Sequence, residues 1–160
     1  MKIQCAKLTF NKDFNLESEI PVEEVNAYFN DFDECSALKP LTYKGVLVNK
    51  GKFIALEADL NVELDMVCYR CGVSYTRTYA PHISLKLIEV TSVGDVDEIV
   101  LTEDDLDTVT FEDGTIDLHA ILLESIYLEF DEQNLCSEDC KGICLICKKN
   151  LNDGDCSCPK

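Results

Sequence analysis

Seven apolar residues, Ile54, Leu56, Ala58, Leu60, Val62, Leu64 and Met66, alternate with Glu57, Asp59, Asn61, Glu63 and Asp65. A strict period of two places successive side chains on opposite faces, so the run predicts a strand with one buried and one wet face. It is longer than an ordinary strand, which predicts that it bends or coils within a barrel-like sheet. LTYKGVLVNKG before it predicts a strand ending at Asn49–Gly51, and VSYTRTYA and HISLKLIEV after it predict returning strands. On those strands Arg77 and Lys86 are expected to meet carboxylates of the long strand as cross-strand pairs. MKIQCAKLTF also alternates and predicts a strand over residues 2–10.

The helical period is rarer. Pro21 followed by VEEVNAYF predicts a short helix with Val22, Val25 and Phe29 on one side. The stretch TSVGDVDEIVLTEDDLDTVTFEDGT reads as acidic loop with short strands around 99–101 and 109–111. Asp117 then predicts an N-cap for a helix over about 118–130. Leu118, Ile121, Leu122 and Ser125 would form its buried stripe, Leu128 would extend it, and Glu124 and Glu129 would face water. The expected architecture is α+β: a mainly antiparallel, barrel-like β-sheet with one long helix and a C-terminal cysteine-rich tail. The division expected is a domain over 1–132, with its acidic segment at 87–117, and a tail over 133–160.

Charge changes the picture. Fourteen lysines and arginines stand against thirty-one aspartates and glutamates, a net charge of −17. Between Leu87 and Cys140 there are seventeen acids and no Lys or Arg, so the remainder of the chain is neutral. Such a segment is either a solvated face or a docking surface that steers a strongly basic partner. Phosphates would be repelled by it, which disfavours nucleic acid there. The N-terminus shows no basic region followed by an apolar stretch, and no run of about 18 apolar residues exists to span a membrane. The expected compartment is therefore the cytoplasm, where thiols stay reduced and clustered cysteines point to metal or catalysis rather than disulfides.

Ten cysteines are present. Cys68-Tyr-Arg-Cys71-Gly lies between two predicted strands, the form of a zinc knuckle whose tight turn aims two thiolates at one ion. A redox pair would need a helix start to depress one thiol, whereas alternation resumes at once with Val73, Tyr75 and Arg77. The tail carries Cys136, Cys140, Cys144, Cys147, Cys156 and Cys158 as C-x3-C-x3-C-x2-C-x8-C-x-C. Lysines, aspartates and glycine fill much of the space between them, so a metal is the natural source of its folding free energy, with zinc expected for all-thiolate ligation. With Cys5 and Cys35 set aside, eight sulfurs suffice for one or two ions. One scheme gives Cys144, Cys147, Cys156 and Cys158 one ion and groups Cys68, Cys71, Cys136 and Cys140 around another; a different partition, or a two-metal cluster of the six tail cysteines, stays open. Four thiolates leave no open coordination position for catalysis. His82 and His119 are isolated, His119 as an expected exposed first-turn residue, and no phosphate loop or nucleophile–base pair is visible in sequence. The expectation is that the protein is not an enzyme.

Five features occur in order along the chain: Cys68-Tyr-Arg-Cys71, the acidic middle, Ile116-Asp117-Leu118, Cys140-Lys-Gly-Ile-Cys144 and Cys147-x2-Asn150-Leu151-Asn152. Together they resemble the YceD family, the large ribosomal RNA subunit accumulation proteins, in its cysteine-rich clostridia-like form. The sequence has Leu145 and Lys148 where that pattern has proline and glycine. The resemblance implies a bacterial factor of ribosome biogenesis needed for rRNA accumulation, with no established enzymatic activity. Its expected partner is a basic ribosomal protein or a precursor of the large subunit, held by acidic residues such as Asp104, Asp105 and Asp107. The alternative is direct contact with rRNA through the locally basic hairpin 44–86, where Tyr69 would stack on a base and Arg70 and Arg77 would meet phosphates.

Overall fold

The computed structural model describes residues 1–29, 35–90, 107–130 and 134–158. The regular elements are β1 (Lys2–Gln4), β2 (Asp13–Ile20), α1 (Val22–Phe29), β3 (Cys35–Ala37), β4 (Leu41–Asn49), β5 (Ile54–Val67), β6 (Ser74–Tyr79), β7 (His82–Glu89), β8 (Thr108–Phe111), β9 (Thr115–Asp117) and α2 (Leu118–Leu128).

The long alternating run is β5, 14 residues and roughly 46 Å of extended chain. Its seven inward residues from Ile54 to Met66 are all buried. Each edge of β5 carries two shorter strands, and a proline marks each junction. On one edge β6 pairs down to Val62–Tyr79 and β7 resumes at Asp59–His82 in unbroken register, with Ala80 and Pro81 between. Pro81 has no N–H to give, and its carbonyl accepts from Leu60 N at 3.0 Å. On the other edge β3 pairs at Ala37–Leu64 and β4 resumes at Thr42–Asn61, a shift of two residues across the turn containing Pro40.

Strand order is β2-β4-β5-β7-β8, with β3 and β6 against β5, and β8 runs parallel to β7. This corrects the barrel-like sheet expected from sequence. A barrel needs its terminal strands to pair, and among the described residues β2 and β8 stand at opposite ends and do not. The length of β5 spans two sets of partners, β4 and β7 along its first part and β3 and β6 along its last. The described residues are mostly β with two α-helices, and the single long helix is also corrected: α2 has 11 residues. It stops because Glu129 and Phe130 donate to the carbonyls of Ile126 and Tyr127, tightening the chain so that Phe130 stacks on Phe29 at 5.5 Å and lies 5.0 Å from Tyr79.

Asp117 caps α2, its carboxylate accepting from Ala120 N. Leu118, Ile121 and Leu122 are buried as expected, but Leu123 and Ile126 join them, Ser125 turns to the Ile121 carbonyl, and Leu128 is 75% exposed. A helix buried over so much of its circumference follows a broad face, not a stripe. The N-terminal strand is shorter than residues 2–10: β1 pairs with β9 and gives way to a 3-10 turn at Cys5–Lys7. His119 is not an exposed residue; it lies against Glu24 of α1, Nδ1 to Oε1 2.7 Å, with only 12% of its side chain open. The register also sets Arg77 opposite Leu64 and Lys86 opposite Ala55, not opposite the carboxylates of β5. The expected strand at 99–101 lies outside the described residues.

Candidate metal centre

Cys68 follows Met66 on the inward face of β5 and is 1% exposed, so the core strand itself delivers the first sulfur. The chain then turns tightly. Cys68 N donates to Val73 O (2.9 Å) and Gly72 N to Cys68 O (2.8 Å), with Gly72 at φ +70°. That conformation is one a side chain resists. The turn brings Cys71 beside Cys68 and starts β6.

The segment after α2 returns to this turn. Tyr69 N donates to Asn134 O (2.8 Å), and the Arg70 guanidinium donates to Cys140 O (2.7 Å). Cys136 and Cys140 thereby meet the first pair: Cys71 Sγ to Cys136 Sγ is 3.7 Å and Cys68 Sγ to Cys140 Sγ is 3.8 Å. Tyr75, Leu135 and Ile143 cover the cluster.

The remaining four, Cys144, Cys147, Cys156 and Cys158, form a second tetrad. Its turn repeats the first bond for bond: Cys144 N donates to Lys149 O (2.9 Å) and Lys148 N to Cys144 O (2.9 Å), with Lys148 at φ +60°. In each tetrad all four sulfurs lie within 4.8 Å of one another. All ten cysteines are free thiols.

The geometry fits a tetrahedral ion. Zinc–thiolate bonds of about 2.3 Å along tetrahedral directions set sulfurs about 3.8 Å apart, against the 3.7 and 3.8 Å found in the first tetrad. The electrostatics agree. Burial raises the Cys68 thiol, but N–H groups of Cys136, Cys71 and Arg70 outweigh it and hold the group down at about 6. Cys71 is pushed up to about 12 by burial and by the neighbouring thiols. In the second tetrad, N–H groups of Cys147 and Ile146 hold Cys144 at about 6, while the Cys147 thiol and burial push Cys158 up to about 12. Cys140 is held below its usual range as well, first by the Asn152 amide, so each set contains sulfurs that its surroundings favour as thiolates. Each tetrad could hold a metal ion, which would stabilise its sulfurs as thiolates.

Of the other sequence-predicted residues, Tyr69 stands at the tip of the first turn, 73% exposed, as Leu145 (85%) and Ile146 (65%) do at the second. Arg70 is committed to Cys140 O, and the Arg77 guanidinium lies 5.2 Å over the Tyr79 ring. Asp107 is exposed, its carbonyl accepting from Lys86 N; Asp104 and Asp105 lie outside the described residues. The metal-ligand pattern did not point to Asn152. Its amide nitrogen lies 3.4 Å from Cys140 Sγ, and the only signal in sequence was its place in Asn150-Leu151-Asn152.

Fold and centre together define a small β-rich protein with two knuckle-based cysteine tetrads, each of which could hold a metal ion. The chain belongs to the YceD family: residues 56–160, from β5 through both tetrads, match the family described as large ribosomal RNA subunit accumulation protein YceD. Its role is thus in accumulation of the large ribosomal RNA subunit. No curated protein and no solved structure matches the chain. Among the described residues no helix is long and apolar enough to cross a membrane.

Proposed function

We propose that the protein is a non-catalytic cytoplasmic factor in large-subunit assembly that binds a basic ribosomal protein, free or on a precursor particle. The observation that supports this is the unbroken acidic run from Leu87 to Cys140, seventeen acids with no Lys or Arg. Its field would steer a cationic partner and would oppose RNA. In this reading each tetrad holds a structural zinc ion that orders the tail, and Asp104, Asp105 and Asp107 belong to the docking surface. Replacing those three aspartates with asparagine tests it. Capture of a basic large-subunit protein by the tagged chain should weaken, and unchanged capture would refute the acidic surface.

A second reading, direct contact with rRNA, draws support from the exposed Tyr69 ring at the first turn. Against it, Arg70 is already bonded to Cys140 O and Arg77 lies over Tyr79. Arg70→Ala and Arg77→Ala should therefore leave the capture of RNA and its salt dependence unchanged. A salt slope reduced by about one unit per lost phosphate contact would favour RNA instead.

A further inference from the structure

Asn152 sits between Cys147 and Cys156 in the second module, yet its side chain serves the first. Its Oδ1 accepts from Lys141 N at 2.8 Å. A backbone N–H can only donate, so the amide orientation is fixed and Nδ2 is the end that faces sulfur. Nδ2 lies 3.4 Å from Cys140 Sγ and is held on its other side by Asn150 Oδ1 at 2.9 Å. Asn150 Oδ1 also accepts from Asn152 N, capping the 3-10 turn Leu151–Asp153.

That turn is tied to the first module by backbone. Leu151 N donates to Gly142 O (2.9 Å), and Gly142 fits against Arg70 so closely that a Cβ there would lie 3.0 Å from Arg70 Cγ. Arg70 in turn holds Cys140 O. At its far end, the loop carrying Asn152 is closed by the second tetrad through Cys147 and Cys156.

We propose that Asn152 is a positioning residue for the first metal centre, and that through it an ion held by Cys144, Cys147, Cys156 and Cys158 raises the affinity of Cys68, Cys71, Cys136 and Cys140 for theirs. This rests on the reading that both tetrads bind zinc. The donated N–H stabilises the Cys140 thiolate and fixes its direction, the role outer hydrogen bonds commonly play around metal ligands. Because the loop is ordered by the second ion, filling either centre favours filling the other, and the coupling is reciprocal.

The test is zinc protection of the full-length, reduced protein against alkylation, read cysteine by cysteine as a competing chelator is raised. Asn152→Asp keeps the acceptor for Lys141 N but replaces the donor with an oxygen and adds a negative charge; Asn152→Ala removes donor and acceptor and adds no charge, so a shift shared by both variants reports the lost N–H. Each should shift the release midpoint of Cys68, Cys71, Cys136 and Cys140 about 10-fold or more toward lower chelator. Cys147→Ser with Cys158→Ser should shift it similarly, and adding Asn152→Asp to that pair should cost less than it does alone. Circular dichroism of the sheet confirms that each variant is folded. Wild-type midpoints in Asn152→Asp, or full additivity with the second-tetrad variant, overturn the proposal while leaving zinc binding intact. A wild-type protein that retains no zinc overturns the metal reading and the coupling with it.

Discussion

Gly72 and Lys148 hold the same position in two copies of one turn. Each follows the second cysteine of its knuckle, donates its N–H to the carbonyl of the first, and has a positive φ, +70° and +60°. Only one of them is glycine. A left-handed conformation costs a residue with a Cβ about 1 kcal/mol, so the second knuckle carries strain that the first lacks. Lys148→Gly should relieve it, raising zinc retention at Cys144 and Cys147 up to about fivefold, as read by chelator competition. Gly72→Lys should weaken the first centre by at least as much. A Lys148→Gly protein no tighter than wild type would show that the turn is not strained.

Gly45 makes a separate prediction about the sheet. A Cβ at that position in β4 would collide with the Glu57 carbonyl and would lie 2.6 Å from Ala58 Cβ. Both belong to β5, whose backbone is held by partners on either edge and cannot yield. Gly45→Ala should destabilise the fold by about 1–3 kcal/mol, within the range for overpacking. The thermal midpoint should drop by several degrees with metal binding unchanged in stoichiometry.

Cys35 and Cys5 lie outside both tetrads, and both should be poor nucleophiles. Burial, then the charge of Asp65, pushes the Cys35 thiol up to about 11; burial, then Glu89, raises Cys5. Since only the thiolate reacts, a rise of about two units lowers the reactive fraction of Cys35 at pH 8 by about 100-fold. The sign for stability follows. The folded protein holds the Cys35 proton more tightly than the unfolded chain, so this contribution is full below pH ~9 and is lost as pH rises toward ~11. Timed alkylation with mass spectrometry checks the reactivity, and alkaline denaturation checks the sign.

Removing the metal should separate tail from sheet. The inward residues of β5 need no ion for their burial, whereas in the stretch from Cys136 to Cys158 the buried hydrophobic residues are two cysteines, Cys140 and Cys144, and Leu145 and Ile146 are exposed. A strong chelator should raise amide exchange across 134–158 while Leu56–Leu64 stay protected. Acid should do the same, because zinc competes with protons for thiolates. Loss of protection throughout β5 would show that the tail is integral to the core.

The legible parts of the sequence were those where one local rule dominates. The alternation of Ile54–Met66 gave β5, and a carboxylate before an apolar run gave the Asp117 cap. The spacing of eight cysteines allowed the grouping observed, among others, but could not select it, because Cys68 and Cys136 meet only through the fold. Strand β2 went unread although Phe14, Leu16 and Ile20 keep period two with Asn15, Glu17 and Glu19 between them: Ser18 breaks the apolar series, and only Leu16 and Ile20 are buried. The open sheet was hidden for a similar reason. Length suggests curvature, but the breaks at Pro40 and Pro81 that divide the partners of β5 act through pairing between distant segments. Asn152 was invisible as a contributor to the first centre because its partner sulfur belongs to the other knuckle.

The pairing of Cys71 with Cys136 spans 65 positions of sequence. An ion there is a reversible cross-link, and by the chain-entropy account of cross-linking a loop of that length removes about 4 kcal/mol of freedom from the unfolded chain. The second tetrad, closing a far shorter loop between Cys147 and Cys156, removes about 2.5 kcal/mol on the same account. The two centres would therefore divide their labour: one shapes the tail locally, while the other ties the end of the chain to the strand at its middle. In a cell short of zinc the tie would loosen, and proteolysis would reach the unfastened terminus well before it reached the sheet.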